Sequence, residues 1–310
     1  MSVSRKRKKV RWVRVTTALL LLSIFLIGLV NVFQFIDGTI NKVNQPFKKV
    51  EAKHAFQGEK SKKEAVNVLL LGSDSRGEKN ARTDSIMIAH YNPKNHQAKL
   101  ISLMRDMYVS IPEHGEQKLN AAYAYGGPEL LRKTIQQNFG LDIHHYAIVD
   151  FKGFEKSVDL LIPDGIEVNI SDEMSDGIGM TLEKGKQRLH GKELLGYVRF
   201  RHDRLSDFGR VQRQQEVVSK LKEEAVSLHS VTKLPELLGV LNTYIDTDVD
   251  TATLLTIGRD MLTNKSGKVE TLRIPEDGSF TNERHEGIGE VLEVDLEQNK
   301  TALNKFLGRD

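Results

Sequence analysis

"AVNVLLLGSD", residues 65–74, opens the part of the chain that should fold: apolar side chains occupy position 66 and positions 68–71, and Gly72 ends the run. A run without alternation, bounded by a turn signal, reads as a strand buried on both faces at the middle of a sheet, followed by a loop. Its neighbours extend the pattern. "DSIMIAHY" (84–91) and "AKLISLMRD" (98–106) are strand-like and joined by the turn "NPKN" at 92–95, which predicts adjacent strands of one sheet.

Beyond them, "GPELLRKTIQQNFG" (127–140) has Pro near its start and Gly at its end, the asymmetry of helix termini. "HHYAIVD" (144–150) reads as a strand, "FKGFEKSVDLL" (151–161) as a helix, "IEVNI" (166–170) as a strand and "HGKELLGYV" (190–198) as a helix. A long helix is expected over 209–228, two shorter helices within 231–264, and a late strand over 268–275. This alternation predicts one layered α/β domain, residues 65–310, with a buried mixed sheet flanked by helices.

The 310 residues are 39% hydrophobic, enough for a sizeable core. Seven of the 45 Lys and Arg lie within residues 1–14, so the remainder carries 38 basic against 42 acidic groups, a formal charge of −4. Residues 15–36, "VTTALLLLSIFLIGLVNVFQFI", are uncharged over 22 positions, long enough to span a bilayer as a helix. No A-x-A-like cleavage site follows, so the run reads as an anchor rather than a signal peptide. The basic tail 1–14 orients it with the N-terminus in the cytoplasm and the body outside. Residues 37–64, polar and rich in Lys, read as a stalk. A net acidic external body excludes a nucleic-acid partner, and the absence of Cys excludes disulfides and thiolate chemistry.

No phosphate-binding P-loop, G-x-S-x-G elbow or H-E-x-x-H helix is present. Instead, "GYVRFRHDRLSDFGRVQRQQ" (196–215) holds five arginines and no lysine. Arg210, Arg213 and Gln214 share a face at the start of the long helix, where unpaired N–H groups and the dipole favour an anion. Arg199 and Arg201 alternate by two, so an extended segment would point both to one side. Guanidinium forks bind phosphate or carboxylate oxygens bidentately. The loop "GSDSRGEKNARTDS" (72–85) adds Asp74, Arg76, Arg82 and Asp84 at the carboxyl end of the central strand. Two carboxylates there suit a hydrated divalent cation held against phosphate oxygens. "MRDM" places Arg105 and Asp106 after an apolar strand, and "KLNAAYAYGG" (118–127) offers Lys118, Asn120, Tyr123 and Tyr125.

Together, "VNVLLLGSDSRGEKNARTDSIMI", "LISLMRDMYVSIP", "KLNAAYAYGG" and "GYVRFRHDRLSDFGRVQRQQ", behind a basic tail and one span, resemble the LytR-CpsA-Psr family of bacterial surface proteins. The resemblance implies an external domain that takes a glycopolymer, such as wall teichoic acid or capsule, from undecaprenyl pyrophosphate in the membrane lipid. It would join that polymer to peptidoglycan through a phosphodiester, with Mg²⁺ or Mn²⁺ assisting. It implies metal-associated carboxylates at Asp74 and Asp84. Arg76, Arg105, Arg199, Arg201, Asp207, Arg210 and Gln214 would bind pyrophosphate, and Asp84, Arg105 and Arg201 would act in the chemistry. Asp203 and Arg204 receive no role. An apolar groove between strands and helices should take the lipid chain. Two alternatives stay open: a lipid-pyrophosphate phosphatase using water, and a membrane-anchored regulator or polyanion receptor.

Overall fold

The structure, a computed structural model, describes residues 53–59, 65–73, 83–225, 234–262 and 267–309. They belong to one compact unit, Lys49–Asp310. Among the described residues no helix is long and apolar enough to cross a membrane; the expected span 15–36 and tail 1–14 lie outside them.

The opening run forms β1 (Val66–Ser73), the centre of a six-stranded mixed sheet. β2 (Ser85–Asn92) and β3 (Gln97–Leu103) form the expected hairpin beside it, with Ile86 opposite Leu103 and Asn92 opposite Gln97. On the other side of β1 lies β6 (His145–Asp150), parallel to it, with Gly72 level with Val149. Two strands found later in the chain complete the edges: β9 (Ile245–Thr247) beside β6, and β10 (Glu270–Ile274) parallel to β3. The register brings the carboxyl ends of β1, β3 and β6 and the start of β2 to one edge, where a ligand site in an α/β sheet belongs.

A second sheet, absent from the sequence expectation, contains β4 (Met107–Ile111), β5 (Gly115–Lys118), β11 (Phe280–His285) and β12 (Gly289–Val294) in the order β11-β12-β4-β5. These strands are short, and β5 and β11 contain no fully buried residue, so they lack a long apolar run. Helix α1 (Leu119–Phe139) packs against β4. It begins eight residues before the expected 127, but Gly126 and Gly127 are non-helical, so the regular segment starting at Pro128 is the one legible in sequence. The main core joins Leu69, Ile88 and Ile101 to Met107, Leu131 and Ile135, filling the space between the two sheets and α1.

The other face of the large sheet is covered by α2 (Phe151–Leu161), α3 (Gly191–Arg199) and α4 (Ser206–Ala225). Asp150 caps α2 by accepting the Gly153 N–H at 2.6 Å. At the start of α3, a Cβ on Gly191 would stand 2.2 Å from Glu155 O, so α2 and α3 meet at backbone contact and close one wall. A hairpin of β7 (Ile166–Ile170) and β8 (Gly185–Leu189) builds a smaller core with these helices. α5 (Leu234–Tyr244) and α6 (Thr251–Leu262) supply the two expected late helices, and α7 (Leu296–Leu307) ends the described chain.

Residues 53–59, read from sequence as stalk, lie against the domain. Lys53 N–H donates to Asp246 at 2.8 Å, Glu59 N–H donates to Ile143 O at 3.0 Å, and the Phe56 ring packs 5.0 Å from Tyr146.

Candidate functional site

At the shared sheet edge, the Thr83 hydroxyl lies 3.0 Å from Gly72 O and 2.9 Å from Ser85 O, tying the ends of β1 and β2 together. Asp84 projects from this tie with 58% of its side chain exposed. Asp74 and Arg76, expected at the same site, lie outside the described residues, as does Arg82.

Arg105 follows β3 in a tight turn and reaches back to the edge. Its Nη1 donates to Asp84 Oδ1 in a short contact, its Nε donates to Asp106 Oδ2 at 3.3 Å, and Asp207 Oδ2 lies 3.7 Å away. Burial works against the Arg105 charge, but Asp207, Asp84 and Asp106 outweigh it and hold its pKa above the ordinary arginine value.

The start of α4 supplies Asp207, Arg210 and Gln214. The helix already includes Ser206, so Asp207 lies within the first turn and faces Arg210. Its Oδ1 is 2.8 Å from Arg210 Nη2, an ion pair without well-directed hydrogen bonds to either carboxylate oxygen. Burial pushes Asp207 up and pulls Arg210 down, each shift opposed by the partner charge. Arg210 also donates from Nη2 to Asp84 O at 2.7 Å. Gln214 accepts from Ser85 Oγ at 3.1 Å and donates to Val198 O at 3.3 Å, joining β2, α3 and α4.

Arg199 and Arg201 reach the same cavity by a route different from the expected one. Arg199 is the last residue of α3, not part of an extended segment, and its guanidinium carbon lies 4.3 Å above the Phe151 ring. Phe200 is extended at φ −60° and ψ 137°, and redirects the chain so that exposed Arg201 also lines the cavity.

Arg213 departs from the expectation that it shares the anion-facing surface. Its side chain is buried, donates to Tyr197 O at 3.1 Å and to Phe200 O, and pairs with Asp203 at 2.5 Å. The last turn of α3 and the residue after it leave carbonyls without helical partners, and Arg213 donates to two of them. It braces the loop that carries Arg201.

Behind these polar groups, a cavity of about 360 Å³ runs between the sheet and the helices. Its walls include Leu70 and Met87 from the sheet, Phe154 from α2, and Val217 and Leu221 from α4. Asp84, Arg199, Arg201, Arg210 and Gln214 all border it. Those polar residues come from the sheet edge and the adjoining ends of α3 and α4, so the cavity is apolar along its length and gathers its arginines at that edge, with Asp150 and Asp176 also on its border.

Two candidates to which the family resemblance gave no role also stand at the edge, Asp106 and Lys118. Asp106 accepts from Arg105 and, through Oδ1, from Lys118 Nζ at 3.0 Å. Among the described residues, Asp84, Asp106 and Asp207 balance Arg105, Lys118 and Arg210, three charges of each sign, and the cavity border adds two more of each, Arg199 and Arg201 with Asp150 and Asp176. The "MRDM" segment was the sequence signal for Asp106; its partner was set by a strand absent from the expectation. Of the tyrosines in the same region, Tyr123 packs against the core and Tyr125 is exposed, its ring 4.7 Å from His114. The adjacent His144 and His145 separate to different partners: Asn67 N–H donates to His144 Nδ1, and His145 lies by Asp248.

The chain resembles Regulatory protein MsrR of Staphylococcus aureus, 42% identical over 257 residues, covering 83% of this chain and 79% of that protein. It is 36% identical over 230 residues to the polyisoprenyl-teichoic acid–peptidoglycan teichoic acid transferase TagU of Oceanobacillus iheyensis, covering 71% and 70% of the two chains. Its fold matches YwtF (TagT) of Bacillus subtilis with bound octaprenyl pyrophosphate lipid at a TM-score of 0.58 and 25% identity, covering 84% of this chain and 97% of that one. The profile of the LytR_cpsA_psr family matches residues 30–305, through both sheets and every arginine of the cavity edge, and the chain belongs to that family.

Proposed function

We propose that this protein is a transferase that moves a glycopolymer from a polyisoprenyl-pyrophosphate carrier, undecaprenyl in a bacterial membrane, onto peptidoglycan. The observation that carries the reading is the convergence of Arg199, Arg201 and Arg210 at one edge of an apolar cavity. An anionic head joined to a hydrocarbon tail needs both parts, since each methylene kept from water is worth about 0.8 kcal/mol. The names of TagU and the lipid-bound TagT structure agree with this donor chemistry.

In the proposed step, an acceptor hydroxyl oxygen bonds to the phosphorus that carries the glycan. The bond from that phosphorus to the bridging oxygen breaks, polyisoprenyl phosphate leaves and a phosphodiester results. Arg105, Arg201 and Arg210 neutralise charge as it moves to the leaving phosphate. Asp84 is exposed at the edge, where it can receive the hydroxyl proton.

The same carboxylate fits a hard divalent cation, which uses one or two carboxylates together with substrate phosphates. Asp84 would hold Mg²⁺ or Mn²⁺, with Asp74 as the second carboxylate by the sequence reading. When bound, the ion supplies further charge neutralisation at the phosphates. We place residues 15–36 in the cell membrane as a single span and the described domain outside it, within reach of both substrates.

The test is the full chain in vesicles with a lipid-pyrophosphate-linked saccharide and divalent cation, with and without peptidoglycan. Saccharide attached to peptidoglycan through phosphate is the expected product. Phosphate-terminated saccharide with no attached product would instead make the protein a lipid-pyrophosphate phosphatase, and binding without turnover would make it a receptor or regulator.

A further inference from the structure

Starting at Arg105, a chain of contacts leaves the reaction edge on the side away from the cavity. Arg105 meets Asp106 at 3.3 Å, and Asp106 meets Lys118 at 3.0 Å. Lys118 is the register partner of Tyr108 across β5 and β4, so both stand on the same face of the second sheet. The Tyr108 ring is 4.2 Å from the His285 ring, and His285 Nε2 is 3.3 Å from Glu293, the β12 partner of Tyr108.

The opposite face of this sheet buries Met107, Val109 and Ile111 in the main core. The alternation of β4, with Tyr108 and Ser110 only partly buried, turns the Tyr108 face away from that core. Two features of this face constrain what it can bind. It is acidic, with Asp106, Glu116, Glu283 and Glu293 against one ammonium, Lys118. It also carries an aromatic pair, Tyr108 and His285, flanked by hydrogen-bonding groups. A phosphate-rich polymer is repelled by such a surface. A sugar ring can pack its C–H face on an aromatic ring while its hydroxyl and acetamido groups bond to adjoining carboxylates and ammonium.

We infer that the outer face of the second sheet, from Lys118 across Tyr108 to His285 and Glu293, binds the acceptor glycan, an amino-sugar polymer, and leads its hydroxyl to Arg105 and Asp84. The inference rests on the transferase reading. Donor and acceptor then approach one edge from opposite sides: the lipid carrier along the apolar cavity and the glycan along the sheet.

Two measurements on the full chain in vesicles separate this site from that reading. In transfer from a lipid-pyrophosphate-linked saccharide, Tyr108→Ala should raise the KM for peptidoglycan about tenfold, with kcat and donor KM unchanged, and Tyr108→Phe should restore it. In co-sedimentation with purified peptidoglycan sacculi, Tyr108→Ala should weaken binding by a similar factor. Glu293→Ala, a change at an exposed position, should act in the same direction in both. Wild-type acceptor KM and sedimentation for both Ala variants, with transfer intact, would overturn the site and leave the transferase reading standing. Sedimentation that depends on Tyr108 without any transfer would keep the site and remove the reading. A wild-type chain that neither transfers nor sediments would overturn both.

Discussion

Leu69 and Ile88, on one face of the six-stranded sheet, are fully buried, whereas Leu70, Met87 and Val149, on the opposite face of that sheet, stay half-buried and line the cavity. Both faces are apolar, but only the first is filled by protein. Side chains there are held by close packing with the second sheet and α1. On the second, α2, α3 and α4 stand off far enough to leave room for a hydrocarbon chain. The continuous apolar run of β1 therefore serves two purposes: a core on one side and the wall of an open cavity on the other.

Substitutions on the two faces should separate these purposes. Leu69→Ala or Ile88→Ala, which opens a cavity in the packed face, should cost about 2–5 kcal/mol of stability, read as a lower Tm, with little effect on transfer by the molecules that remain folded. Equal stability of these variants and those on the cavity face would erase the distinction.

Acid should act on the packed face next. His90 is buried there and donates from Nδ1 to Asn67 Oδ1 at 2.7 Å, a tautomer assigned because Asn67 Nδ2 is committed to Asp142 O. Burial, aided by Arg309, Lys99 and His144, lowers its pKa from 6.5 to about 4. The unfolded chain therefore binds the proton first. The stability contributed by neutral His90 is fully present above about pH 6.5 and is lost as pH falls through about 4, by roughly 3 kcal/mol in total. His90→Gln should flatten the dependence of Tm on pH in that window.

At the arginine-bearing edge, Arg105→Ala or Arg201→Ala should lower kcat on the order of 100-fold, equivalent to about 2.7 kcal/mol of transition-state stabilisation, while Tm moves far less than for Leu69→Ala. Near wild-type transfer by both variants would remove them from the mechanism. Smallest is Met87→Ala on the cavity wall. Its side chain is only half-buried, so stability should fall by less than about 1.5 kcal/mol, and the measurable change should be a raised donor KM.

The same contrast marks what could be read from sequence. β1, β2 and β6 are long apolar runs between turn signals, and each appears within a residue or two of its expected place. β4, β5, β11 and β12 are four to six residues long and half-solvated, and their pairing joins Met107 to Leu292, far apart in the chain. No local pattern specifies such a contact. Among the arginines, residue type with helix spacing selected Arg210, and alternation by two in an expected extended segment selected Arg199 and Arg201, although Arg199 ends a helix instead. Spacing was not enough to exclude Arg213, because a helix face is about 100° wide and only the position of the end of α3 and the loop after it decides which part of that face meets them.

The sequence by itself determined a strand buried on both faces, a loop of carboxylates and arginines after it, and an arginine-rich turn into a long helix, because periodicity, turn residues and side-chain chemistry are local properties. Only the tertiary structure decided that Asp84, Arg105, Asp207 and Arg210 share one edge, that Asp106 and Lys118 extend it onto a second sheet, and that Arg213 is a brace. Those assignments depend on distances between residues as much as 126 positions apart in the chain, as between Asp84 and Arg210, which are fixed by how the sheets and helices pack.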